Sequence, residues 1–193
     1  MTSVVSICNQ AITWLGGNPI ISLDDGTTEA ILCKANYAHL RDAVLEEGKW
    51  TFATKRFKLL PNPTAPIYGY SHRFEIPSTV FVVLTATNYV DNANDNNQFD
   101  YRREENFIVC NESVVYIKAL VRITDVTKYT ATFIQALAAR IAADIAAPLT
   151  ESTSKEKKMQ DKYDRAINLA LGIDGQQGQS DRIKTRSKIL RRR

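Results

Sequence analysis

The stretch TATFIQALAARIAADIAAPLT, residues 130–150, restricts the fold more than any other part of the chain. Between Phe133 and Ala147 only Gln135, Arg140 and Asp144 are polar. A helix that is apolar on nearly every side has to be covered on nearly every side. At about 100° per residue, Phe133, Ile134, Leu137, Ile141 and Ile145 fall on one side, and Ala138, Ala139, Ala142, Ala143 and Ala146 on the other. The bulky side is expected to face the domain's own core, because burying each such side chain is worth about 1.5–3 kcal/mol. The alanine side carries two readings. Alanine is the best helix former, and the face then lies half exposed; or the small side chains admit a second helix, from this chain or from a neighbouring copy, as a packing face. Arg140 and Asp144, one turn apart at the edge, are expected to pair with each other.

Three further helices are predicted around it. Val4, Ile7, Cys8, Ala11, Ile12 and Leu15 have the spacing of one apolar helix face, and Gly16 and Gly17 stop it. Ala30, Cys33, Tyr37, Leu40 and Val44 repeat three and four apart in a second helix that ends near Gly48. A helix over about residues 154–171 carries Met159, Tyr163, Ile167 and Leu171, with Gly172 expected to close it. The alanine-rich helix itself is expected to start at a cap, Asp125 or Thr130, and to run to Ala147 before Pro148.

The middle of the chain changes character. Pro61, Pro63 and Pro66 exclude continuous helix, so KWTFATKRFKLLPNPTAPIYGY is read as an extended crossover. HRFEIP, TVFVVLTATNYV, FIVC and SVVYIKALVRI are β-branched and aromatic, and predict a small antiparallel sheet or barrel-like insertion. DNANDNNQFD, residues 91–100, is expected to be an exposed loop. The expected fold class is therefore α+β. A bundle of about four helices comprises residues 1–60 and 125–172, a β subdomain residues 67–124, and an extended basic arm residues 173–193.

Several chemistries have no foothold. Neither G-x-x-x-x-G-K-[ST] nor G-x-G-x-x-G occurs, so phosphate cradling by a glycine loop has no anchor. His39 and His72 belong to no zinc-binding spacing, and no metal or cofactor is expected. Cys8, Cys33 and Cys110 are odd in number and far apart, which suits a reducing compartment and small buried apolar roles. The N-terminus lacks a secretory pattern, and no run of about 18 apolar residues suggests a membrane span. Asp24 with Asp25, Glu46 with Glu47 and Glu104 with Glu105 suggest acid and base pairs for sugar cleavage, but sequence neighbours usually point apart and solvated faces are the simpler reading. Trp14, Trp50, Phe52, Phe57, Tyr68 and Tyr70 are read as core before stacking platforms.

The charge is unevenly distributed. The formal net charge is +4, yet the last twelve residues, RIKTRSKILRRR, hold seven Lys or Arg and no acid, which leaves the body negative. Such a tail suits phosphate neutralisation, an acidic protein groove with Ile183, Ile189 and Leu190 as anchors, or plain solvation. The apolar residues among the charges favour the protein groove.

Four segments taken together, WLGG, GKWTFATKR, HRFEIPSTV and VRITDVTKYTATFIQALAARIAADIAAPLTES, resemble the tail tubular protein A family, the head-to-tail adaptors of short-tailed bacteriophages. The resemblance extends from about residue 3 to about residue 171. It implies a structural virion protein and not an enzyme: a homo-oligomeric ring, dodecameric in the typical case, between portal protein and tail nozzle protein, with double-stranded DNA passing through. It also implies assembly in the host bacterial cytoplasm, a place in the virion tail, and no membrane insertion. Arg182, Ile183, Lys184, Arg186, Lys188, Ile189, Leu190 and Arg191 resemble the family's portal-docking arm. The alternatives are a tail-associated polysaccharide hydrolase, suggested by the aromatics and carboxylates, and a nucleic-acid-binding module, suggested by the tail.

Overall fold

A computed structural model describes residues 2–88 and 99–177. Helix α1, Val4–Leu15, opens on a capping box in which the Ser3 hydroxyl accepts from the Ser6 amide and the Ser6 hydroxyl from the Ser3 amide. It closes at Gly16 in the left-handed region (φ 78°), where the Gly16 N–H reaches back to the last turn. Helix α2, Thr28–Glu46, is capped by Thr27. Helix α3, Ala131–Thr150, is capped by Thr130, while Asp125 caps a separate 3₁₀ turn, Val126–Lys128. Helix α4 is Thr153–Gln177.

Two helix ends differ from expectation. α3 passes Ala147 and takes Pro148 into its last turn, ending at Glu151 in the left-handed region (φ 51°). A proline there costs only the bond to the Asp144 carbonyl on an exposed side, and the Thr150 hydroxyl still donates to the Ala146 carbonyl at 2.8 Å. α4 runs through Gly172, which does not close it, and residues 173–177 are helical rather than part of an extended arm. Its apolar stripe is Met159, Tyr163, Ile167 and Ala170, and it continues onto Asp174, all buried.

The β region is two three-stranded antiparallel sheets. β1 (Thr54–Leu59), β6 (Val115–Val121) and β3 (Val80–Thr87) form one in the order β1-β6-β3. β2 (His72–Glu75), β5 (Phe107–Cys110) and β4 (Tyr101–Glu104) form the other in the order β2-β5-β4. β1 lies in the stretch read as a crossover. It sets Phe57 opposite Ile117 and Leu59 opposite Val115, so the strand belongs with the sheets and the bundle's first portion ends before it. The central strands β5 and β6 are consecutive. Residues 111–114 carry the chain from one sheet to the other, with the Asn111 side chain accepting from the Ser71 amide at 2.9 Å.

α3 sits at the centre, packed by α1, α2 and α4, so a helix that matches a membrane span in length and apolar composition is covered inside the fold. Phe133 joins helices to sheets: Trp50, Phe52 and Tyr129 surround it with ring centroids 5.0, 5.1 and 4.9 Å away. Both polar tips in this cluster are satisfied, Trp50 Nε1 donating to the Val44 carbonyl at 3.0 Å and the Tyr129 hydroxyl to the Ile123 carbonyl at 2.6 Å. Helices and sheets therefore share one apolar cluster. A charged joint reinforces it at the surface: Asp42 on α2 accepts from its neighbour Arg41 and, at 2.9 Å, from Arg122 just beyond β6, whose guanidinium lies over the Phe81 ring. The fold is α+β.

Candidate interaction surfaces

The direction in which the alanine face of α3 points decides between its two readings. Ala138, Ala139, Ala142 and Ala146 are fully buried and Ala143 is nearly so. All five lie in the chain's own core, among α1, α2 and α4. That surface is closed to a neighbouring copy, and it is not half exposed. The edge of the helix also differs from expectation. Arg140 does not pair with Asp144: its guanidinium lies over the Tyr163 ring of α4 at 5.3 Å, and Asp144 is left at the surface. Aromatic stacking takes the arginine because α4 packs directly over that side. The Tyr163 hydroxyl then donates to Glu47 at 2.6 Å, linking α3, α4 and the end of α2.

The arm residues Arg182, Ile183, Lys184, Arg186, Lys188, Ile189, Leu190 and Arg191 lie outside the described residues, as does most of the DNANDNNQFD segment. The structure describes the chain as far as Gln177, in the last turn of α4. There Asp174 accepts from the Thr51 amide at 2.8 Å and from the Thr51 hydroxyl at 2.9 Å.

A groove of about 680 Å³ lies on one face of the β2-β5-β4 sheet, overhung by residues 66–70. Strand register builds its floor in two rows. Arg73, Val109 and Arg102 form one, and Phe107 and Glu104 the next. Arg73 lies over Phe107, 4.7 Å from the ring centroid. Tyr68, Tyr70, Asp100 and Glu105 complete the wall, and the overhang presents Ile67 and Tyr68 almost fully to solvent. Charges of both signs stand there beside exposed aromatic surface.

The carboxylate pairs divide between structural work and this groove. Asp24 meets Lys34 at 2.8 Å, which holds its carboxyl below the usual range, and Asp25 accepts the Ile21 and Ser22 amides. Glu47 is engaged by Tyr163, whereas Glu104 and Glu105 reach the groove. Among the aromatics, Trp50 is core and Phe52 packs against it; Phe57 faces Ile117 within the sheet; Tyr68 and Tyr70 are at the groove. Trp14 lies under the Lys162 ammonium of α4, 3.1 Å away, and burial together with Lys158 and Arg165 lowers the pKa of that lysine.

All three cysteines are buried. A hydrogen bond with Cys33 and burial push the Cys8 thiol up, and burial does the same for Cys110, so both remain thiols. Among the described residues no group of three or more His, Cys, Asp or Glu is placed to hold a metal ion. The groove and the Asp174 contact escaped sequence reasoning. The first depends on register across strands 30 residues apart; the second had a signal, an acid four residues after Ala170 on an apolar stripe. Compared with known protein families and with curated proteins, the chain matches none in sequence.

Proposed function

We propose that the chain is a structural virion protein without catalytic activity: a ring-forming adaptor that joins the portal to the tail nozzle of a short-tailed bacteriophage and lines part of the DNA ejection channel. The observation that carries this reading is the ordered set WLGG, GKWTFATKR, HRFEIPSTV and residues 121–152, which together resemble the tail tubular protein A family. The basic run at 182–193 supports it as an arm that grips portal subunits, with Ile183, Ile189 and Leu190 as apolar anchors between cations. The negative body supports it as well, since transit of DNA requires a channel wall that does not hold phosphates.

A ring of identical copies uses two different faces of each subunit in a heterologous contact that must close. With the alanine stripe consumed internally, those faces are drawn from the outer helix surfaces and the sheet edges. Mass measurement of the purified chain, alone and with portal protein, tests the proposal, and electron microscopy of the mixture reads the ring directly. A chain that neither forms rings nor binds portal would falsify it.

A second reading, a tail-associated polysaccharide hydrolase, is favoured by one observation: Tyr68, Tyr70, Asp100, Glu104 and Glu105 converge on one groove. Release of reducing sugar from host capsule, lost in Glu104→Gln, is its expected signature. No release removes it.

A further inference from the structure

Helix α4 does not stop where its sequence invites it to stop. Gly172 and Gly175 are poor helix residues, and Gly172, Ile173, Gly175, Gln176 and Gln177 are all exposed, so the last turns have little packing of their own. The helix nevertheless continues to Gln177. Contacts to the start of the β region compensate, with Gln177 Oε1 3.5 Å from the Thr51 hydroxyl and a closer pair made by Asp174. Asp174 is 4% exposed, and its two carboxylate oxygens take the amide and the hydroxyl of Thr51, a residue 123 positions earlier. Thr51 opens the 3₁₀ turn Thr51–Ala53, and the preceding Trp50 supplies no capping bond, so Asp174 caps that turn from another helix.

Gly48 completes the seat. A Cβ there would run into Leu171 Cδ2 and come within 2.8 Å of the Trp50 ring, so a larger residue has to displace one of them. The contact is local, specific and directly upstream of residue 178.

We propose that residues 171–177 form a latch, closed by Asp174 on Thr51, that fixes where the C-terminal arm leaves the body beside the start of β1. Its two states differ in reach. Unwinding residues 172–177 from helix to extended chain lengthens the arm by roughly 11 Å. A closed latch presents the arm from a fixed point, and an open one lets it extend to a more distant partner. The role in portal docking rests on the ring-adaptor reading; the latch itself does not.

Hydrogen exchange of the full chain, followed by mass spectrometry, tests the latch. In Asp174→Ala, amides in 173–177 exchange at least tenfold faster while those of α3 and β6 keep their wild-type protection. Gly175→Ala, at a position with nothing within 4 Å of a new Cβ, slows exchange in the same segment severalfold. Unchanged protection of 173–177 in Asp174→Ala overturns the proposal. Should Asp174→Ala lose protection throughout, Thr51→Val decides: faster exchange confined to 173–177 supports the latch, and no change there overturns it.

Portal binding tests the consequence. Where the wild type binds portal and a chain ending at 177 does not, Asp174→Ala changes the dissociation rate at least threefold; an unchanged rate overturns the arm-fixing role. A wild type that fails to bind portal removes the adaptor reading, and hydrogen exchange alone then decides whether the latch exists.

Discussion

Single atoms decide several features of this fold, and Gly48 is the clearest case. Its missing Cβ is the space that Leu171 and the Trp50 indole occupy. Gly48→Ala forces backbone or ring to shift, an overpacking cost of about 1–3 kcal/mol. Urea unfolding is expected to show a lower midpoint with unchanged slope. Tyrosines act at the same scale. Burial raises the pKa of Tyr37, Tyr129 and Tyr163 above the ordinary value of about 10, and the Tyr163 hydrogen bond to Glu47 adds to it. The unfolded chain releases these protons near pH 10 while the folded chain keeps them, so the unfolded state binds fewer protons above that point. Stability contributed by these tyrosines is complete below pH about 10 and is lost as pH rises beyond it. Absorbance titration at high pH is expected to find Tyr37, Tyr129 and Tyr163 ionising above the ordinary tyrosine range. Ionisation of these three in the ordinary range with the fold intact would contradict the assignment.

Helix α3 makes its case as an element. Ala142 is fully buried among helices that approach because alanine is small. Ala142→Leu is expected to cost the isolated chain about 1–3 kcal/mol or to prevent folding, seen in denaturant midpoint or soluble yield. Had the stripe been a contact between copies, the same change would spare the monomer and block assembly only. All four helices were legible because apolar residues at three- and four-residue spacing have few other uses, as Ile7, Cys8, Ala11 and Leu15 illustrate. Their ends were less so. Pro148 and Gly172 are local stop signals, and each was overridden by something local propensity does not contain: a last turn with an exposed carbonyl in one case, a carboxylate docked on Thr51 in the other. β1 was hidden for a related reason. Lys55, Arg56 and Lys58 dilute the apolar alternation to Phe57 and Leu59, and only the register with β6 makes the segment a strand.

Across the whole molecule, the division into bundle and β region describes topology but not stability. Ile108, Val115 and Ile117 from the sheets belong to the same apolar cluster as Leu137, Ile141 and Ile145 of α3, with Phe133 and Trp50 at the junction. Such continuity is invisible in sequence, where Trp50 and Phe133 stand 83 residues apart; so is the groove, whose Arg73, Arg102 and Phe107 meet only through strand order. A shared core makes unfolding cooperative across both halves. Tryptophan fluorescence, which reports Trp14 at the α1 and α4 contact and Trp50 in the central cluster, is expected to lose its native signal at the same urea concentration as circular dichroism of helix and sheet. Phe133→Ala removes the ring that three aromatics share and is expected to cost about 3–5 kcal/mol, moving both midpoints together. Two separated transitions, or a Phe133→Ala shift seen by one probe alone, would mean that helices and sheets are independently stable.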